Sequence, residues 1–356
     1  MQIISASSAF PKHYYPQAVL LQALEKYWGA DLEKPQLLRR LHRNTGVDGR
    51  YLALPVQAYP KLSRWGEIND LWIEAALELG KQAICRALTY AGLSVRDLSA
   101  FFFTSVTGIA SPSIDALLIN RIGLSPNIRR TPMFGLGCVA GAAGIARAAD
   151  YVKAYPSQLA VLLSVELCSL TIQKEDLSPA NLISSGLFGD GAAAVIVAGE
   201  ECSAFTPESE QLGPRILATR SVFYPQTEDM MGWKISEKGF RIVLSREVPD
   251  LVREQIGHDV DAFLADYGYT RGDIGSWVLH TGGPKVLEAI QDSLGLKNGE
   301  LDASWDCLRK TGNLSSASVL VVLEEVMKRR RPAPGTLGVM AAMGPGFCSE
   351  LLLLQW

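Results

Sequence analysis

One cysteine lies among glycines in Gly135-Leu136-Gly137-Cys138-Val139-Ala140-Gly141-Ala142-Ala143-Gly144, and helix-forming residues follow through Ile145-Ala146-Arg147-Ala148-Ala149-Asp150. A thiol in the first turn of a helix feels the positive end of the macrodipole, which favours thiolate over thiol. The glycines permit a tight turn, and the Ala/Gly face lets the helix lie against neighbouring backbone. This pattern suits a nucleophile at the bottom of a pocket, and it also suits a structural cysteine in a close-packed helix. A nucleophile needs a base and an electrophilic partner. His280 ends the apolar run Trp277-Val278-Leu279, and Asn313 stands in Gly312-Asn313-Leu314-Ser315-Ser316-Ala317-Ser318. Taken singly, a strand-end histidine is commonly a satisfied hydrogen-bonding residue, and Gly-Asn is common turn chemistry.

The elements that must position these residues occur twice. A helical period over Asp70–Ala91 (Leu71, Ala75, Leu79, Ile84) leads through Asp97 to the apolar run Phe101–Val106. A second helix over Val248–Tyr267 leads through Asp273 to Trp277–His280. Thr104 lies 7 positions after Asp97, and His280 lies 7 after Asp273; Cys138 follows Asp97 by 41, and Asn313 follows Asp273 by 40. Small-residue helices then lead to strands at Ala160–Ser164 and Leu337–Ala341, and each half closes on a glycine turn and another apolar strand. An internal duplication of about 150–180 residues accounts for the pattern. Alternating helices and buried strands predict an α/β layered architecture with mixed sheets. The halves are 1–205 and 206–356, joined through Glu200–Gly213. Equivalent positions then lie near a pseudo-twofold axis, so that Cys138 and Asn313 face one pocket and His280 completes it. The opening segment to about Tyr51 reads as helical and basic. Arg39, Arg40, Arg43 and Arg50 form either a solvated charged face or a landing site for an anionic substrate.

With 356 residues, the chain has ample length for a large core. A formal charge of -3 argues against a general nucleic-acid binder. The six cysteines show neither zinc-site nor disulfide-scaffold spacing, so a reduced, cytoplasmic protein is expected. The N-terminus does not read as a signal peptide, and no apolar run approaches the roughly 20 residues of a spanning helix.

Gly137-Cys138, His280-Thr281-Gly282-Gly283-Pro284 and Gly312-Asn313-Leu314-Ser315-Ser316 resemble the Cys-His-Asn motifs of the thiolase-fold condensing enzymes. Leu187-Phe188-Gly189-Asp190-Gly191 and Met343-Gly344-Pro345-Gly346-Phe347 resemble the type III polyketide synthases of the chalcone synthase superfamily. The resemblance implies a thiolase-like fold of two duplicated halves in α-β-α-β-α layers. It further implies that Cys138 takes a starter acyl group from coenzyme A. Malonyl-CoA then loses carbon dioxide, and His280 and Asn313 hold the resulting enolate, which attacks the acyl-cysteine. No bound cofactor or metal is expected.

The same resemblance makes Phe188 the gate between CoA tunnel and cavity, and puts Ile242, Trp233, Val106, Cys168, Thr171 and Ser315 at cavity-lining positions. Ile242 stands where the plant enzymes carry a second gatekeeping phenylalanine, and Trp233 where they carry a glycine. The expected starter is therefore a medium- or long-chain aliphatic acyl group, as in the bacterial alkylpyrone and alkylresorcinol synthases. Arg40, Arg43 and Lys285 are the expected CoA-phosphate cations. The family acts as homodimers, and Gly108-Ile109-Ala110-Ser111-Pro112 corresponds to the loop that reaches the partner's cavity. An acyl carrier protein is an alternative donor of the starter. A malonyl or aromatic starter, a single-condensation 3-ketoacyl synthase of fatty-acid initiation and a catalytically silent scaffold are the competing readings.

Overall fold

The computed structural model describes residues 1–203 and 213–356. The junction expected at 205/206 falls on 204–212, outside the described residues. A mixed nine-stranded sheet forms the frame. Its spatial order is Ile274–Leu279, Leu337–Gly344, Cys348–Gln355, Arg215–Phe223, Gln2–Ala9, Asp190–Ala198, Leu159–Leu167, Leu98–Thr104, Arg129–Met133. The seam pairs Gln2 with Arg215. Outward from it, each wing runs through an opening strand, a closing strand and the strand before that one.

Strand residues alternate between two apolar environments, because both faces of the sheet are covered. Phe102, Leu162 and Val195 of one wing, with Val278, Met340 and Leu352 of the other, pack on helices Ala140–Ala154 and Ser318–Arg329. Phe101, Val161 and Leu163 face the opposite way, onto helix Trp65–Ala91. Trp277, Val339 and Leu353 likewise meet Val248–Ala265. The result is helix, sheet, helix, sheet, helix: the thiolase-like layering. No helix among the described residues is long and apolar enough to cross a membrane.

Two expectations need correcting. The opening segment is not simply helical: Gln2–Ala9 is a central strand, and His13–Pro16 pairs with Gly49–Leu52 around helices Gln17–Trp28 and Pro35–Arg43. A strand buried on both faces carries no polar alternation to announce it. The buried face of Trp65–Ala91 keeps the expected Leu79 and Ile84 but also takes in Trp72, Ala76 and Ala83, while Leu71 is exposed. Turning the helix this way buries the large indole of Trp72.

The two central helices approach almost backbone to backbone at their starts. A Cβ on Gly141 would lie 2.3 Å from the Ser316 carbonyl oxygen. Gly141→Ala should cost about 2 kcal/mol through overpacking and lower Tm by a few degrees in differential scanning calorimetry; an unchanged Tm would refute the contact.

Candidate active site

Cys138 sits in the 3-10 turn Gly137–Val139 that leads into helix Ala140–Ala154. Gly137 has φ +56, and a Cβ there would lie 2.5 Å from Pro345. The closing Gly344-Pro345 turn thus presses on the nucleophile turn, and only glycine fits between them. On the other side, Cys138 Sγ lies 3.7 Å from Ser315 Oγ. Ser315 adopts φ +50, a strained conformation for a residue with a Cβ. Its N–H donates to Asn313 Oδ1 at 2.8 Å, and Ser318 Oγ donates to the same oxygen at 3.3 Å. Asn313 therefore has its acceptor occupied, and Nδ2 is left to donate, toward Gly282 O at 3.4 Å and toward the Cys138 sulfur.

His280 follows strand Ile274–Leu279, and its N–H donates to Ala341 O at 3.0 Å. The ring is buried, and Nδ1 has no hydrogen-bond partner among the described residues. Burial lowers His280 to about 4. Burial pushes the Cys138 thiol up to about 12, against the opposing pull of hydrogen bonds from Ser315 and Asn313. Both groups are therefore neutral at pH 7. The thiolate favoured by the helix start is outweighed here by desolvation.

A mainly apolar cavity lies beside Phe188, and Cys138, His280, Asn313 and Ser315 are not among its lining residues. Phe188, Ile242, Trp233, Cys168 and Thr171 all line it. Trp233 and Ile242 are directly opposed in the hairpin Met231–Ser236/Gly239–Leu244, and Trp233 packs on Phe240 with ring centroids 5.9 Å apart. Thr171 Oγ1 donates to Cys168 O at 2.8 Å. Phe188 and Asn313 form a parallel backbone bridge, so that gate and amide are neighbours. Val106 is not among the lining residues; its N–H is held on Glu166 Oε2 at 3.2 Å. Sequence reasoning missed the wall made by Leu20, Leu24, Tyr27, Val56 and Tyr59 from the opening segment.

Arg40 and Arg43 are exposed on helix Pro35–Arg43, and Lys285 is exposed in the first turn of Pro284–Leu294. A Cβ on Gly46 would lie 3.3 Å from Pro284, so the two cationic segments adjoin. Arg50 does not belong with them, because it is 3% exposed.

Sequence reasoning also missed Glu166, the charge inside the apolar run Leu159–Leu167. It accepts hydrogen bonds from Val106 N, Thr107 Oγ1, Ser105 Oγ and Ser316 Oγ, and burial raises it to about 7. A charged residue in such a run was a readable signal. No group of three or more His, Cys, Asp or Glu side chains placed to hold a metal occurs among the described residues.

Comparisons with known proteins identify the family of the chain. The family profile described as "Chalcone and stilbene synthases, N-terminal domain" matches residues 2–201, and its C-terminal counterpart matches 215–356. The 1,3,6,8-tetrahydroxynaphthalene synthase of Streptomyces peucetius subsp. caesius is 48% identical over 357 residues, covering 99% of this chain and 93% of that protein. A putative chalcone synthase of Bacillus subtilis is 38% identical, covering 88% and 87%. The crystal structure of the tetrahydroxynaphthalene synthase from Streptomyces coelicolor, a bacterial type III polyketide synthase, superposes with a TM-score of 0.91 at 29% identity, covering 100% of this chain and 99% of that one. The chain belongs to the chalcone and stilbene synthase family, and thereby to the type III polyketide synthases, which are acyl-transferring condensing enzymes.

Proposed function

We propose that Cys138, His280 and Asn313 form the catalytic centre of an iterative synthase that extends an acyl group with malonyl-CoA. One observation carries this reading: Cys138 Sγ and the Asn313 side chain converge on Ser315 while Asn313 is bridged to Phe188 beside the cavity. In the loading step, Cys138 Sγ attacks the thioester carbonyl as neutral His280 takes its proton. The C–S bond to coenzyme A breaks, and His280 returns the proton to the departing thiolate. Malonyl-CoA then releases carbon dioxide, and its C–C electron pair becomes an enolate. Asn313 Nδ2 and a ring N–H of His280 hold the enolate oxygen. The carbanion attacks the acyl-Cys138 carbonyl, a C–C bond forms, and the Cys138 thiolate leaves and recovers a proton.

The starter in this reading is malonyl-CoA itself, giving a polyhydroxylated aromatic of the tetrahydroxynaphthalene class. Support comes from the 48% identity to the Streptomyces peucetius enzyme and from Trp233, Ile242 and Phe188, which narrow one side of the cavity. The medium- or long-chain aliphatic starter, with an alkylpyrone or alkylresorcinol product, is the second reading. The apolar extension along Leu20, Leu24, Val56 and Ile172 favours it. Arg40, Arg43 and Lys285 receive the CoA phosphates; a carrier protein would deliver the same phosphopantetheine thioester. Residues 1–205 and 206–356 act as duplicated halves. The working unit is a homodimer, supported by the exposed edge strand Arg129–Met133 and by Phe134, which is 56% exposed.

Incubation with malonyl-CoA alone, followed by mass spectrometry, should yield an aromatic polyketide of several condensations. Product formed only when octanoyl- or palmitoyl-CoA is added would establish the second reading instead. Cys138→Ala should abolish loading and extension yet retain malonyl-CoA decarboxylation; normal polyketide output from it would refute the mechanism. Because burial raises the Cys138 thiol to about 12, its alkylation in the free enzyme should accelerate about tenfold per pH unit between pH 7 and 10. Peptide mapping of iodoacetamide-labelled Cys138 tests this, and a rate plateau near neutrality would contradict it.

A further inference from the structure

The gate residue Phe188 follows helix Pro179–Leu187, whose last carbonyls have no partners within the helix. Phe188 N–H closes onto Ser184 O, and the last three carbonyls are taken by groups from distant parts of the chain. Arg50 Nη2 donates to Ser185 O at 2.7 Å, Gln17 Nε2 to Gly186 O at 2.7 Å, and Asn313 N to Leu187 O at 2.9 Å. Arg50 Nη1 also donates to the carbonyl of Phe188 itself at 2.5 Å, and Arg50 Nε donates to Gln17 Oε1 at 3.3 Å. One planar guanidinium thus spans the helix end and the gate, with a cation where the helix dipole favours one.

This is a costly way to end a helix. Burial lowers the Arg50 guanidinium to about 10, against the compensating charge of Asp190. A glycine cap, or an apolar residue in place of the charge, would spare that desolvation. Arg50 also lines the cavity together with Phe188 and Cys168, so that the clamp lies beside the acyl space. On its other side it abuts the Asn313 loop, where a Cβ on Gly312 would lie 3.0 Å from Arg50 Cδ and 2.5 Å from Leu187 O.

We propose that Arg50 is the positioning residue of the Phe188 gate, fixing the aperture between cavity and Asn313 and thereby the number of condensations completed before release. The proposal rests on the chain being an iterative condensing enzyme and does not depend on which starter it takes. Wild-type turnover in the same assay shows whether that reading holds.

The test uses full-length Arg50→Met, Arg50→Lys and Gln17→Leu, with rates normalised to titrated Cys138 and products resolved by liquid chromatography–mass spectrometry. Arg50→Met should lower kcat by about tenfold or more, change the KM for malonyl-CoA less than about threefold, and shift output to shorter chains. Arg50→Lys keeps a cation but not the two-pronged grip and should recover part of the wild-type distribution. Gln17→Leu should shift it slightly in the same direction as Arg50→Met. If Arg50→Met does not fold, the other two variants decide by the same criterion. A wild-type product distribution per active Cys138 in the folded variants, with only a lower Tm, overturns the proposal.

Discussion

Two helices that begin at the centre of the molecule, nearly touching backbone to backbone, set the terms for everything around them. Gly141 has no room for a Cβ beside Ser316 O, and a Cβ on Gly344 would lie 2.7 Å from Val139 N. Contacts this close leave no side-chain play to absorb error, so Cys138, Asn313 and Ser315 are placed by main chain. The strained φ of Ser315 costs on the order of 1 kcal/mol or more. It persists because Asn313 Oδ1 and Cys138 hold Ser315 from two sides. Asn313 Oδ1 also accepts from Ser318 Oγ, so the amide is oriented with Nδ2 as its remaining donor.

Packing reactive groups so deeply has an electrostatic consequence. Burial favours the thiol form of Cys138 and the neutral imidazole of His280. The resting site therefore carries no ion pair whose desolvation must be offset. Charge develops only when a thioester arrives, and it develops against donors already aimed. Glu166, gathering four donors beneath the Val106–Thr107 and Ser316 turns, ties the two wings together just under the thiol. Its own charge would oppose a thiolate, which adds to the bias toward the neutral form.

What could be read from the sequence follows from this division. Apolar runs such as Leu159–Leu167 declare buried strands, and Cys138, His280 and Asn313 declare their chemistry by type and spacing. Arg50 was illegible because it lies within a basic segment. Helix Pro35–Arg43 points Arg39, Arg40 and Arg43 outward, whereas the pairing of Gly49–Leu52 with His13–Pro16 turns Arg50 under the gate. The Leu20–Tyr59 wall was only partly legible: Leu20, Leu24 and Tyr27 share one face of helix Gln17–Trp28, but Val56 and Tyr59 join them only through long-range folding. Val106 is not among the residues that line this cavity, and a position along the chain does not say which way a buried residue turns. Here the amide is committed to Glu166.

The cavity and the reacting atoms are built from different parts of the chain. Helix Gln17–Trp28, the Tyr59 turn and the Trp233–Ile242 hairpin supply much of the cavity wall, while the two central helix starts and the end of strand Ile274–Leu279 carry Cys138, Asn313 and His280. A wall residue can therefore change what is bound without moving Cys138. The two parts join at the Phe188–Asn313 bridge, where a displacement of Phe188 is also a displacement of Asn313. A shift of about 1 Å at a reacting group can cost about 100-fold in rate, so this seam needs tighter control than either side of it. The Arg50 guanidinium grips two carbonyls on one side of the bridge, and main-chain hydrogen bonds of Asn313 with Leu187 and Gly189 hold the other. An enzyme built this way tolerates new starters at its walls more readily than any change at the bridge.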